Sequence, residues 1–171
     1  MAIGVYPGSF DPLTIAHLAV ADAAFDTLGL DRLDLAISGT ALGKEHLDDT
    51  SVQRRLDGIR DATADRPWLE VVAVREQLIV DIAEGYDVVV MGADKWTQVI
   101  DPVWYDDEDA RDAALARLPR VAVAPRAGHR VPPELELAVP EGLEHVSASA
   151  VRAGRTGWAA PTPTAVERSH R

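Results

Sequence analysis

Two short stretches hold residues whose types and spacing suit phosphate chemistry. The first is Pro7-Gly8-Ser9-Phe10-Asp11-Pro12-Leu13-Thr14-Ile15-Ala16-His17, which follows a short apolar run from Ala2 to Tyr6. Gly8 allows a backbone to approach a ligand closely. Thr14 is a candidate helix N-cap, which makes His17 the third residue of that helix. Residues three apart share a helix face, so both side chains lie beside a helix N-terminus, where free N–H groups favour phosphate. The second stretch is Val146-Ser147-Ala148-Ser149-Ala150-Val151-Arg152. Hydroxyls and free N–H groups at a helix start can hold phosphate oxygens, and Arg152 adds a fork of donors. Either stretch alone also reads as ordinary turn and cap chemistry. Their pairing, the first after an opening strand and the second late in the chain, favours a ligand site.

The elements that must position these residues alternate between strand and helix. Apolar runs at Ala2–Tyr6, Leu33–Ile37, Leu69–Val74, Val88–Met91 and Val121–Ala124 read as five strands. Leu18–Leu28 reads as an Ala-rich helix stopped near Gly29. A second helix is capped by Thr50 or Ser51 and carries Val52, Leu56 and Ile59 on one face. Shorter helices are expected at Leu78–Glu84, 107–118 and Ser149–Ala153. Strands alternating with helices predict an α/β fold, a doubly wound, Rossmann-like parallel five-stranded sheet with helices on both faces. Ligands in such sheets sit beyond the carboxyl ends of the strands, which places residues 7–17, 38–46, 92–97 and 125–128 near the site. One domain is expected over residues 1–155. Residues 156–171, with Pro161, Pro163 and three threonines, read as a disordered tail.

Composition narrows the function further. The chain has 171 residues, a formal net charge of −11 and no cysteine. That charge disfavours nucleic acid and anionic membrane as partners, and the lack of cysteine excludes disulfides and thiolate metal sites. No apolar stretch approaches the ~20 residues of a membrane span and no signal peptide is visible, so a cytoplasmic location is expected. Homo-oligomerisation is left open. No G-x-G-x-x-G follows the first strand, which argues against a dinucleotide-binding oxidoreductase.

The first stretch closely resembles the signature G-x-F-D-P-x-H/T-x-G-H of the nucleotidyltransferase superfamily, with Ala16 where the family usually has Gly. The second is similar to its I-S-S-T/S-x-x-R segment, with Ala148 in place of one serine. Gly92-Ala93-Asp94-Lys95-Trp96, Asp101-Pro102-Val103-Trp104-Tyr105 and Pro125-Arg126-Ala127-Gly128 resemble the G-A-D … W … R-P-G stretch of nicotinate mononucleotide adenylyltransferases. Leu78-Ile79-Val80-Asp81-Ile82-Ala83 resembles a helix of phosphopantetheine adenylyltransferase, although that family's Arg-Gly pair is here Met91-Gly92. The nicotinate family's Ser-Tyr-Thr-x-Asp-Thr segment has no counterpart.

The resemblance implies transfer of an adenylyl group from ATP to a phosphate monoester, in the first place nicotinate or nicotinamide mononucleotide. That would be a step of NAD biosynthesis. It implies catalytic roles for Thr14 and His17 on the α-phosphate and for Lys44 and Arg152 on the leaving pyrophosphate. Gly8, Ser9, Phe10, Asp11, Gly92, Asp94, Ser147 and Ser149 would bind nucleotide. Lys44, Arg55, Trp96 and Trp104 would bind the acceptor. For Arg55 an ion pair is an equal reading, for Lys44 a solvated loop lysine, and for either tryptophan a cover over the sheet rim. Mg²⁺ would arrive on the triphosphate, with no protein metal cage. Phosphopantetheine adenylyltransferase, cytidylyltransferase and a non-catalytic nucleotide-binding domain are the alternatives.

Overall fold

The computed structural model describes residues 1–38 and 49–163. Their order is β1 (Ile3–Pro7), α1 (Ile15–Leu28), β2 (Arg32–Ser38), α2 (Asp49–Ala62), β3 (Leu69–Val74) and α3 (Ile79–Ile82). Then follow β4 (Val88–Gly92), α4 (Ala93–Ile100), α5 (Glu108–Leu115), β5 (Arg120–Ala124) and α6 (Ala148–Arg152). Every strand pairing is parallel and the sheet runs β3-β2-β1-β4-β5. The chain therefore winds outward from β1 to β3, returns to lay β4 against β1, and continues to β5. That is the doubly wound α/β arrangement expected from the alternation. The reversal between β1 and β4 opens a crevice beyond Pro7 and Gly92.

Strand periodicity sends alternate residues to two cores. Tyr6, Leu35, Val88 and Val90 face one, where Leu18, Ala21 and Ala24 of α1 and Leu56 and Ile59 of α2 cover them. Val5, Ala36, Val89, Met91 and Val123 face the other, under Ile82 and Ala83 and under Ala93 and Val99 of α4. Burial on both faces explains why β4 reads as an unbroken apolar run. One charge interrupts the pattern. Asp34 of β2 is almost fully buried, and its carboxylate accepts from Arg32 Nε at 2.8 Å and from the Tyr86 hydroxyl at 2.8 Å. Burial, followed by that bond to Asp34, pushes the Tyr86 phenol up to about 12.

Three expectations need correction, and one helix was not foreseen. Helix α2 begins at Asp49, so Thr50 and Ser51 lie within it rather than before it. Residues 93–97, to which no element is assigned from the sequence, open helix α4, for which Gly92 is the N-cap. The apolar spacing of Ala93, Trp96 and Val99 is the signal that marks it. The last helix begins at Ala148 with Ser147 as its cap, because the Ser147 hydroxyl accepts from Ala150 N–H at 3.1 Å. Finally, the start of the presumed tail belongs to the fold. Thr156–Trp158 form a 3-10 turn, Ala159 bridges to Thr14, and Ala160 packs against the first core. No helix of the described residues is long and apolar enough to cross a membrane.

Candidate active site

Helix α1 starts at the mouth of the crevice, and its first turn is built around Thr14 and His17. Thr14 is extended (φ −117°, ψ 165°) and fully buried, and its hydroxyl accepts from the His17 backbone N–H at 3.2 Å. In return the Thr14 N–H donates to His17 Nδ1 at 3.0 Å. This is a reciprocal capping box in which an imidazole takes the place usual for Glu or Gln. Because Nδ1 accepts a backbone N–H, the neutral ring carries its proton on Nε2. Burial, and then the charge of Arg126, push the His17 imidazole down to about 4, with Asp94 opposing them. At neutral pH the ring is therefore uncharged and offers Nε2–H as a donor.

The loop before α1 is tightly held. Phe10 has a backbone φ of 46°, uncommon for a bulky residue, and its ring meets Tyr6 and His17 edge-on at 5.2 and 5.0 Å. A Cβ on Gly8 would fall 2.8 Å from that ring, so the close approach at Gly8 is made by Phe10. Two arginines grip the loop. Arg55 Nη2 donates to Ser9 O at 2.6 Å and lies 3.8 Å from the Asp11 carboxylate. Arg152 Nη1 donates to Asp11 O and Nη2 to Ser149 Oγ at 3.1 Å, so α6 is tied to the first stretch.

A cavity of about 240 Å³ joins these parts. Gly8, Ser9, Phe10 and His17 line it on one side, Gly92 and Asp94 on a second, and Ser147 and Ser149 on a third. Arg126, which the sequence reading did not count among the site residues, also lines it. Its guanidinium donates to Val146 O and stands 3.9 Å from Asp94. The Pro125-Arg126 step directly after β5 is the signal that could have found it. Lys95 and Arg126 bring two cations to the cavity, which the carboxylates of Asp94 and Glu144 also line. A neutral N–H donor, two cations and the N-terminus of α1 together suit a phosphate chain.

A second cavity of about 350 Å³ shares Ser9 and Lys95 with the first. Leu78, Ile79, Gln98, Trp104 and Tyr105 complete much of its wall. Trp104 remains 59% exposed, while Trp96 packs against the second core. The two tryptophans thus part company: Trp96 covers the sheet and Trp104 faces a cavity. Arg55 holds the Ser9–Asp11 loop and lines neither cavity, and Thr14 reaches the first cavity only through His17. Lys44 lies outside the described residues. Among the described residues no group of three or more His, Asp or Glu could hold a metal ion.

The cytidylyltransferase-like family matches residues 5–154, which span both motif stretches, the end of β1 and the other four strands. The phosphopantetheine adenylyltransferase of Rhizorhabdus wittichii is 35% identical over 94 residues, 54% of this chain and 53% of that protein. The same-named protein of Francisella philomiragia is 36% identical over 81 residues, 47% of this chain and 46% of that one. A probable nicotinate-nucleotide adenylyltransferase of Citrifermentans bemidjiense is 36% identical over 71 residues, 42% of this chain and 33% of that protein. The chain thus spans about half the length of the first two relatives and a third of the last.

Proposed function

The chain belongs to the cytidylyltransferase-like family, and on that premise we propose that it transfers the adenylyl group of ATP to a phosphate monoester and releases pyrophosphate. The observation that carries this reading is the pair of cavities sharing Ser9 and Lys95, the first of them lined by His17. Two substrates can enter from two sides and meet at that seam. The triphosphate lies in the first cavity. The acceptor phosphate, with a second pKa of about 6, is mostly dianionic near neutral pH and needs no general base. Its oxygen attacks the α-phosphorus in line, the bond from that phosphorus to the β-bridging oxygen breaks, and pyrophosphate leaves. Catalysis is then positioning and charge stabilisation.

In this reading His17 Nε2–H and the first N–H groups of α1 hold the α-phosphate as charge builds. Arg152, Ser149, the helix start at Ser147 and Lys44 hold the departing pyrophosphate. Mg²⁺ would arrive on the triphosphate, held mainly by phosphate and water. The acceptor we favour is nicotinate or nicotinamide mononucleotide, since Trp104 offers a flat face to a pyridine ring. Phosphopantetheine is the second reading. It is favoured by the names of two of the relatives and by Leu78 and Ile79, which give the second cavity an apolar edge.

The test follows pyrophosphate release with ATP or CTP against nicotinate mononucleotide, nicotinamide mononucleotide, phosphopantetheine and glycerol 3-phosphate. His17→Ala is expected to lower turnover by ~10²–10³ while triphosphate binding persists. Unchanged turnover would remove His17 from the mechanism. No release with any acceptor would leave a nucleotide-binding domain without catalysis.

A further inference from the structure

Beyond α6 the chain turns back toward the N-terminus of α1. After the 3-10 turn at Thr156–Trp158, Ala159 pairs antiparallel with Thr14, and Ala160 N–H donates to Leu13 O at 2.9 Å. The Leu13 carbonyl and the Thr14 N–H are the two ends of one peptide group. That same Thr14 N–H is the donor to His17 Nδ1. A peptide group is planar and turns as a unit, so a bond that fixes its C=O also aims its N–H. Hydrogen bonds in series also polarise one another. The path therefore runs from Ala160 N–H through the 13–14 peptide to the imidazole.

We propose that Thr156–Ala160 is a positioning strap for His17, in which the Ala160 N–H holds the 13–14 peptide against Nδ1 and so keeps the ring proton on Nε2, facing the cavity. The strap is anchored at both ends. Ala160 packs against the first core, and the Arg155 guanidinium sits 5.1 Å above the Trp158 ring. It follows directly on α6, since Arg155 N–H donates to Ala150 O at 2.9 Å. The helix that bears Ser149 and Arg152 is thereby linked through the strap to the imidazole. The other groups that act on the ring are the Thr14 hydroxyl, 3.1 Å from Nδ1, and Tyr6, Phe10, Arg126 and Asp94, and none lies on the strap.

Ala160→Pro removes this one donor. Ala159 is extended (φ −65°, ψ 144°), the conformation favoured before a proline. Ala160→Gly keeps the donor and serves as the control. The readout is ¹⁵N NMR of the His17 ring in the full-length chain, which reports the tautomer and the titration midpoint without reference to catalysis. Wild type and Ala160→Gly are expected to show the Nε2–H tautomer. Ala160→Pro is expected to show a mixture with Nδ1–H and a midpoint raised by about one pH unit or more. An unchanged tautomer and midpoint in Ala160→Pro, with only a lower Tm, would overturn the proposal.

If Ala160→Pro does not fold, a chain ending at Arg155 is read in the same way. Failure of both to fold would make the segment part of the fold alone and likewise overturn the proposal. The catalytic arm rests on the proposed transfer activity. There kcat is expected to fall about tenfold or more in Ala160→Pro, with KM for the triphosphate little changed. An inactive wild type with the expected NMR change would sink the transfer reading and leave the strap standing.

Discussion

Acidification from about pH 7 to about pH 4.5 is expected to destabilise this protein, and His17 sets a calculable share of the loss. Its imidazole is held down to about 4 in the fold against an ordinary 6.5, by burial first and by Arg126 second. The unfolded chain therefore takes up this proton near 6.5 and the folded chain only near 4. Between those values the unfolded state binds more protons, so stability falls as pH falls. The contribution is fully present above 6.5 and is lost as pH drops through 4. At about 1.4 kcal/mol per pH unit, a gap of that width amounts to roughly 3 kcal/mol, most of it already lost near pH 4.5. Urea unfolding of wild type and of His17→Gln at both pH values isolates the share, since the amide cannot titrate. Wild type is expected to lose about 2 kcal/mol more than the variant. Equal losses in the two proteins would refute the buried neutral imidazole, and with it the assignment of Nε2–H as donor.

Three further outcomes follow from the same geometry. Thr14→Ala removes the N-cap oxygen of α1 and is expected to cost about 1 kcal/mol in thermal unfolding, most of it recovered by Thr14→Ser. Gly8→Ala places a methyl 2.8 Å from the Phe10 ring, which cannot yield freely because it also contacts Tyr6 and His17. A destabilisation of about 1–3 kcal/mol by urea unfolding is expected, and a neutral result would mean that Phe10 is packed elsewhere. Arg126→Gln deletes a charge that lowers the His17 titration, so the NMR midpoint of that ring is expected to rise. A midpoint that stays in place would show that burial alone holds it down.

Much of the candidate site was legible in the chain because it is local. Thr14 and His17 are three residues apart on one helix start, and Ser147, Ser149 and Arg152 lie within six consecutive residues at another. Spacing alone predicts such neighbours. The strands were legible for the same reason, since apolar runs such as Val88–Met91 describe their own burial. What the sequence did not show at the site depended on groups far apart in the chain. Arg126 reaches Asp94 and Val146 only because β5 lies beside β4. Trp96 and Trp104 look alike in sequence, and only the start of α4 at Ala93 turns one to the core and leaves the other at a cavity.

The sequence by itself determined the alternating elements, the family signature and the capping pair at α1, all of which depend on residues a few positions apart. The tertiary structure alone decided which groups converge. The strand order brings residues 8–10, 16, 17, 92, 94, 126 and 147–149 to one crevice. It also decided that Thr156–Ala160 belong to the fold. The bond from Ala160 to Leu13 closes a loop across nearly the whole chain, and no local pattern of side chains encodes a contact between two backbone groups so far apart.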